Sequence, residues 1–180
     1  KWNINIGSGS NQMGTTGQDD LTKIGTERTA VAIAAGKNHN CAILDNSSIK
    51  CWGANTSGQL GLGDTVNRGA TTDGLDQMGD NLPVVDLGSG RTARGIIAGD
   101  NQTCAILDNA SIKCWGANAS GQLGIGDTNN RGDNSSEMGN YLPAVDLGSG
   151  RTAKAIATGD SHTCAILDDS SVKCWGSNAS

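Results

Sequence analysis

CAILDNASIKCWG, at residues 104–116, has two near-copies in this chain, CAILDNSSIKCWG at residues 41–53 and CAILDDSSVKCWG at residues 164–176. The three copies recur with a period of about 60 residues, which makes the chain a tandem repeat. In such a protein each repeat is a small structural unit that buries its apolar face against its neighbours. The middle copy therefore serves as the template for the other two.

Short alternating apolar runs surround the middle copy, and they indicate β-strands rather than helices. Strands are expected at Ala93–Ala98, Thr103–Leu107 and Ile112–Trp115, with an edge strand over residues 142–148. Four short antiparallel strands in each repeat are typical of a β-propeller blade. The sequence thus predicts an all-β fold.

The middle copy also predicts a register for its hairpin. If Cys104 faces Cys114, the antiparallel pairing brings Ile106 opposite Ile112. Since side chains alternate along a strand, both pairs lie on one face, and Trp115 lies on the other. We expect this Trp, and its counterparts Trp52 and Trp175, to pack between blades.

The cysteines form three pairs, each ten positions apart: Cys41/Cys51, Cys104/Cys114 and Cys164/Cys174. Buried reduced thiols are one interpretation, because free cysteine is a common core residue. A zinc site is disfavoured by the spacing and by a content of only two histidines. Disulfides are the favoured interpretation, because directly opposite strand residues lie at about the Cα separation that a disulfide needs.

Composition argues against a single large core. Phe is absent, apolar residues make up 36% of the chain and Gly occurs 27 times, so many small cores fit better. The net charge of −5, without a basic stripe, makes nucleic acid a poor partner. No apolar stretch approaches the roughly 18 residues that a membrane span needs.

The signature around the first Trp identifies a family resemblance. Lys50-Cys51-Trp52-Gly53-Ala54-Asn55, followed by Gly58-Gln59-Leu60-Gly61-Leu62-Gly63-Asp64, resembles the regulator of chromosome condensation repeat. The resemblance implies four-stranded blades in a propeller that has seven blades in familiar members. About three blades of a larger propeller are therefore expected here.

The repeat boundaries predict a division of the chain. Residues 1–29 are expected to be a partial or degenerate blade, residues 30–92 and 93–152 two blade repeats, and residues 153–180 the truncated start of a further blade. The native chain is expected to continue beyond Ser180.

Two histidines occupy equivalent positions, but neither predicts catalysis. His39 and His162 correspond to Gln102 in the middle copy, and a catalytic or metal-binding His is not expected to alternate with Gln. A structural hydrogen bond fits all three. Because each Cys belongs to a structural pair, no catalytic Cys–His arrangement is supported, and we expect no enzyme, no metal and no cofactor.

Three loop motifs also have structural interpretations. Asp64 and Asp127 follow Gly-x-Gly, and turn capping is favoured over calcium because no ligand series follows them. Arg131-Gly132-Asp133 is an adhesion-type tripeptide, but the preceding repeat has Arg68-Gly69-Ala70, so a chance variant is favoured. The Gly-rich turns lack the Lys and the helix of a phosphate loop.

Asn-x-Ser/Thr sequons predict possible N-glycosylation in an exported protein. The loop candidates are Asn46, Asn55, Asn109, Asn118 and Asn134.

The favoured function is a non-catalytic, exported module at a cell surface or in an extracellular assembly. Paired cysteines indicate an oxidising compartment, and near-identical repeats suit a protein partner or self-assembly through repeated blade surfaces. Family members include small-GTPase exchange factors and enzyme inhibitors, so an intracellular regulatory propeller is the alternative. A lectin-like or calcium-binding surface is a third possibility.

Overall fold

A computed structural model describes residues 24–69 and 77–178, so most of the degenerate blade predicted at residues 1–29 lies outside the described residues. The described chain is all-β, as predicted, with three antiparallel sheets of three strands each. The strands are β1 Ala30–Ala35, β2 His39–Leu44, β3 Ile49–Gly53, β4 Ala93–Ala98, β5 Gln102–Leu107, β6 Ile112–Gly116, β7 Ala153–Thr158, β8 His162–Leu167 and β9 Val172–Gly176.

Each sheet is built around the predicted hairpin. In the middle sheet Cys104 pairs with Cys114, and Ile106 pairs with Ile112. Trp115 pairs with Thr103, so it lies on the opposite face. The outer sheets have the same register, and the predicted pairing is confirmed in all three copies.

The six cysteines form three disulfides, which confirms the favoured interpretation. They are Cys41–Cys51, Cys104–Cys114 and Cys164–Cys174. The Cα atoms of the pairs lie 4.1, 4.1 and 4.0 Å apart, slightly closer than the roughly 4.5 Å of a facing pair without hydrogen bonds between its two residues.

The first strand of each sheet departs from strict alternation. Alternation predicts that Ala93 and Gly95 share one face of β4. Instead Ala93 pairs with Leu107 and Gly95 with the adjacent Ile106, because a β-bulge at Arg94 interrupts the register. The two small residues therefore belong to opposite faces, since the extra residue shifts the alternation by one position.

The predicted edge strand over residues 142–148 is not a strand in the structure. The Val145 amide donates to the Ile112 carbonyl over 2.9 Å, and an isolated antiparallel bridge joins Gly116 to Arg131. Pro143 has no amide proton to donate to a ladder. The segment instead packs its apolar side chains, since Val145 and Leu147 are buried in a hydrophobic cluster.

The hydrophobic core is divided between neighbouring repeats, as the composition predicts. One cluster contains Ile43 and Ile49 of the first hairpin together with Leu107 and Trp115 of the second sheet. A second cluster repeats this arrangement one repeat later. The disulfide face of one repeat thus packs against the Trp face of the next repeat.

Candidate functional site: the junction between repeats

A compact turn follows β3 and β6, the strands that carry Trp52 and Trp115, and it forms one side of the junction with the next repeat. In the first repeat this turn is organised by Asn55, whose side chain is fully buried. Its Oδ1 accepts the Leu60 amide over 2.9 Å, and its Nδ2 donates to the Asp64 carbonyl over 2.8 Å. The turn has its positive φ values at glycines, such as Gly58 at 77° and Gly61 at 69°, a conformation that glycine adopts readily.

Two donors of the next repeat bind the same carbonyl oxygen of this turn. The Trp115 Nε1 donates to the Gln59 carbonyl over 3.0 Å, and the Thr103 hydroxyl donates to the same oxygen over 2.8 Å. Trp115 and Thr103 are cross-strand partners, so one strand pair supplies both donors. Trp175 and Thr163 bind the Gln122 carbonyl in the same way, over 2.9 Å each.

His39 extends this network in the first junction. Its Nε2 lies 2.9 Å from the Thr103 Oγ1. That hydroxyl already donates its one proton to the Gln59 carbonyl. His39 therefore donates to it through a protonated Nε2, and Nδ1 carries no proton. Burial lowers the pKa of His39 from 6.5 to about 4, so the ring is uncharged at neutral pH.

The predicted structural hydrogen bond is not shared by every copy. Gln102 donates through Nε2 to the Gly159 carbonyl over 2.9 Å, which links the second repeat to the third. His162, by contrast, is exposed, and its ring has no hydrogen-bond partner among the described residues. The expectation therefore holds for His39 and Gln102, each of which bonds to the following repeat. For His162 it stays a prediction, because no following repeat is among the described residues.

The lysine before each second cysteine is a contributor that the sequence analysis missed. Lys113 is buried and donates through Nζ to the carbonyls of Leu87 and Gly139, over 3.0 and 2.6 Å. Lys50 donates in the same manner to Gly79 over 2.7 Å. Burial lowers the pKa of both lysines. The recurrence of Lys in all three Lys-Cys-Trp triplets was the available signal.

The two loop aspartates cap their turns. Asp127 accepts the Asn129 amide over 2.9 Å and pairs with the Arg131 guanidinium over 2.6 Å. These contacts, the Asn129 amide first, lower the pKa of Asp127. Asp64 makes the equivalent contacts with Val66 and Arg68.

The Arg-Gly-Asp tripeptide is part of the folded loop. Its Arg131 is paired with Asp127, and Gly132 is buried and donates its amide to the Glu137 carboxylate over 3.0 Å. The tripeptide is therefore not displayed as a free loop tip.

The candidate glycosylation sites divide into two groups. Asn46, Asn109 and Asn134 are exposed. Asn55 and Asn118 are fully buried, and each side-chain amide donates to a backbone carbonyl of its own turn. A sugar on Nδ2 of Asn55 or Asn118 does not fit the folded turn, because that nitrogen is buried and donates within the turn. A glycan at either position stays a prediction that this geometry disfavours.

Removal of the middle disulfide is expected to destabilise the chain by about 2.8 kcal/mol from loop-closure entropy alone. The variant is Cys104→Ala with Cys114→Ala, and lost packing adds to the effect because both cysteines are fully buried. The matched control is the same double change at Cys164 and Cys174, where Cys174 is exposed. Urea unfolding monitored by circular dichroism should show the larger loss for the middle pair, and the reverse order would contradict this account.

Comparison with known families supports the repeat assignment. A model described as "Regulator of chromosome condensation (RCC1) repeat" matches residues 51–106 and 114–166. A second model with the same description matches residues 30–59 and 153–180. The chain belongs to the RCC1 repeat family. The matched residues include the first and third disulfide hairpins and both Gly-Gln-Leu-Gly turns, and they include the two cysteines of the middle hairpin but not residues 107–113 between them.

Other proteins with RCC1 repeats are similar over most of this chain. The ultraviolet-B receptor UVR8 of Arabidopsis thaliana is 32% identical over 152 residues, which cover 84% of this chain and 30% of the receptor. The probable E3 ubiquitin-protein ligase HERC4 of Homo sapiens is 30% identical over 148 residues, covering 81% of this chain and 12% of the ligase. The chain thus spans less than a third of either relative.

Solved structures of two other proteins share the fold. Human WBSCR16 superposes with a TM-score of 0.60 at 17% identity, covering 90% of this chain and 36% of that one. Prp20p of Saccharomyces cerevisiae superposes with a TM-score of 0.58 at 20% identity, covering 82% and 32%. These matches establish that the three sheets correspond to propeller blades.

The described residues contain neither a candidate metal site nor a helix long enough to span a membrane. Across residues 24–69 and 77–178, no group of three or more His, Cys, Asp or Glu side chains is placed to hold a metal ion. The helices in this part of the chain are single 3₁₀ turns at Gly79–Asn81 and Gly139–Tyr141, and none can reach across a bilayer.

Proposed function

We propose that this chain is a non-catalytic, exported interaction module of a cell-surface or extracellular assembly, with residues 30–92 and 93–152 as blade repeats. The observation that carries the proposal is the disulfide in each of the three hairpins. Disulfides persist in oxidising compartments and are rare in the cytosol. The repeated surface suits a protein partner or further copies of the same chain.

The alternative is an intracellular regulatory propeller of the exchange-factor or enzyme-inhibitor type. The shared fold with Prp20p favours it, since that structure was described together with its binding properties to Gsp1p and histones. The two proposals predict different redox states, because cytosolic thiols are kept reduced.

Localisation and cross-linking in the native source test the proposal. Intact cells are treated with a membrane-impermeant cross-linker, and the chain is then recovered by antibody from the medium, the cell surface and the interior. The proposal predicts an external chain cross-linked to a protein or to its own copies. An internal chain with reduced cysteines would support the regulatory alternative instead.

Glycan occupancy is expected to follow the geometry of the hairpin turns. In the first hairpin the Ser48 hydroxyl donates to Asn46 Oδ1 over 2.7 Å, and Ser111 makes the same contact with Asn109 over 2.7 Å. Both asparagines are exposed, so we propose Asn46 and Asn109 as the main glycan sites. Secretion from a glycosylating host and glycopeptide mass spectrometry should show occupancy there.

The chain contains its own controls for this measurement. The third hairpin has Asp169 in the equivalent turn, with the same contact to Ser171 over 2.6 Å, and cannot carry an N-glycan. Folded, secreted protein should also lack a glycan at the buried Asn55 and Asn118. Occupancy of these two sites in protein with all disulfides formed would refute the assignment.

A further inference from the structure

A cavity of about 350 Å³ lies between the first two repeats. Its walls are the Gly-rich turn at residues 61–63, the connecting segment at residues 83–86 and the loop at residues 134–141. The volume falls within the range of small-ligand and side-chain pockets, about 300–1,000 Å³. Both repeats contribute to it, so the cavity exists only because of the junction.

Tyr141 at the edge of this cavity departs from the repeat. It ends the short 3₁₀ helix Gly139–Tyr141, and the equivalent helix Gly79–Asn81 ends in Asn81. Tyr141 is the only Tyr of the chain and is 76% exposed. Since Asn serves the same backbone position, the fold does not require an aromatic residue here, and an exposed aromatic side chain is suited to binding.

One wall of the cavity is polar, with Asn134, Ser135 and Ser136, and the side chains opposite it are mostly apolar. Leu62 and Met138 belong to the edge of the first hydrophobic cluster and form its inner side. Pro83 and Val84 are exposed at the rim, and Val84 stands where the following repeat has the smaller Ala144. This lining matches an aliphatic group better than a fully polar ligand.

The charge of the cavity is acidic. Among the described residues that line it, Asp86 carries the only charge. The buried Lys113, which donates to the Gly139 carbonyl, interacts with Asp86 from behind the cavity wall. Its Oδ1 accepts the Gly88 amide over 2.9 Å, which holds the carboxylate in place. A carboxylate and an exposed Tyr ring both attract a cation.

We propose that this cavity binds an arginine or lysine side chain from an extended segment of a protein partner. The aliphatic stem of such a side chain packs on Leu62 and Val84, while its cationic end lies near Asp86 and Tyr141. This inference rests on the proposed function as a protein-binding module, and it names the chemistry of one contact.

The single Tyr provides a direct observable. The full chain is labelled with ¹³C-tyrosine and titrated with the peptide acetyl-Val-Arg-Val-amide, and in parallel with acetyl-Val-Glu-Val-amide. We expect the Tyr141 ring signals to shift with the Arg peptide and to stay in place with the Glu peptide. Absence of a shift with the Arg peptide, or equal shifts with both peptides, would overturn the proposal.

Two variants separate charge from nonspecific contact. Asp86→Asn keeps the Oδ1 acceptor for the Gly88 amide but removes the charge. It should lower the affinity for the Arg peptide about threefold or more. Asp146→Asn is the matched control, because Asp146 makes the same turn contact with Gly148 over 2.8 Å outside the cavity. Unchanged affinity in Asp86→Asn, with the Asp146→Asn chain folded, would overturn the proposal.

The peptide titration and the test of the proposed function can fail separately. If cross-linking captures an external protein partner but neither peptide binds, only the assignment of this cavity is wrong. If the chain is internal and reduced but the Arg peptide binds, the cavity assignment stands and the exported role fails.

Discussion

Trp115→Ala is expected to destabilise the chain by about 3–5 kcal/mol, the usual cost of truncating a buried aromatic side chain. Trp115 is fully buried in the cluster between the first two repeats. The change also removes the 3.0 Å hydrogen bond from the indole Nε1 to the Gln59 carbonyl. Urea unfolding followed by circular dichroism measures the loss without depending on Trp fluorescence.

Two further variants separate packing from hydrogen bonding. Trp115→Phe keeps most of the aromatic volume, so its cost should be smaller and include about 1 kcal/mol for the lost hydrogen bond. Trp175→Ala removes an equivalent donor, 2.9 Å from Gln122, but Trp175 is only half-buried. Equal losses for Trp115→Ala and Trp175→Ala would show that burial at the junction does not set the stability.

Stability is expected to fall by about 3 kcal/mol between pH 6.5 and pH 4 because of His39. The folded state holds the pKa of His39 at about 4, against 6.5 for the unfolded chain. Within this window the unfolded chain binds a proton that the folded chain excludes. The contribution of the neutral ring is therefore fully present above pH 6.5 and is lost as the pH falls towards 4.

His39→Gln tests this assignment with a residue that the chain already uses. Gln102 occupies the equivalent position and donates to the Gly159 carbonyl, so Gln fits the site without a titratable ring. Urea unfolding at several pH values should show that His39→Gln removes most of the slope between pH 6.5 and 4. An unchanged slope in His39→Gln would contradict the account.

Much of the hairpin geometry was predictable because it depends on local alternation. Once Cys104 faces Cys114, the pairing of Ile106 with Ile112 follows from the two-residue period of a strand. The same argument placed Trp115 on the other face. The structure confirms each of these pairs.

The features that were missed depend on contacts distant in sequence or on a local irregularity. The bulge at Arg94 adds one residue to an otherwise regular strand, and no residue type at this position predicts a bulge. The burial of Asn55 follows from the folding of its whole turn, whereas its sequon resembles that of the exposed Asn46. The role of Lys113 depends on carbonyls 26 residues away in either direction.

Disulfide mapping of protein from its native source tests the central claim most directly. The chain is unfolded in denaturant with an alkylating agent and digested with trypsin without reduction, since cleavage after each Lys of Lys-Cys-Trp separates the two cysteines. The account predicts three linked peptide pairs, Cys41 with Cys51, Cys104 with Cys114, and Cys164 with Cys174. Alkylated cysteines throughout, or links between different repeats, would contradict it.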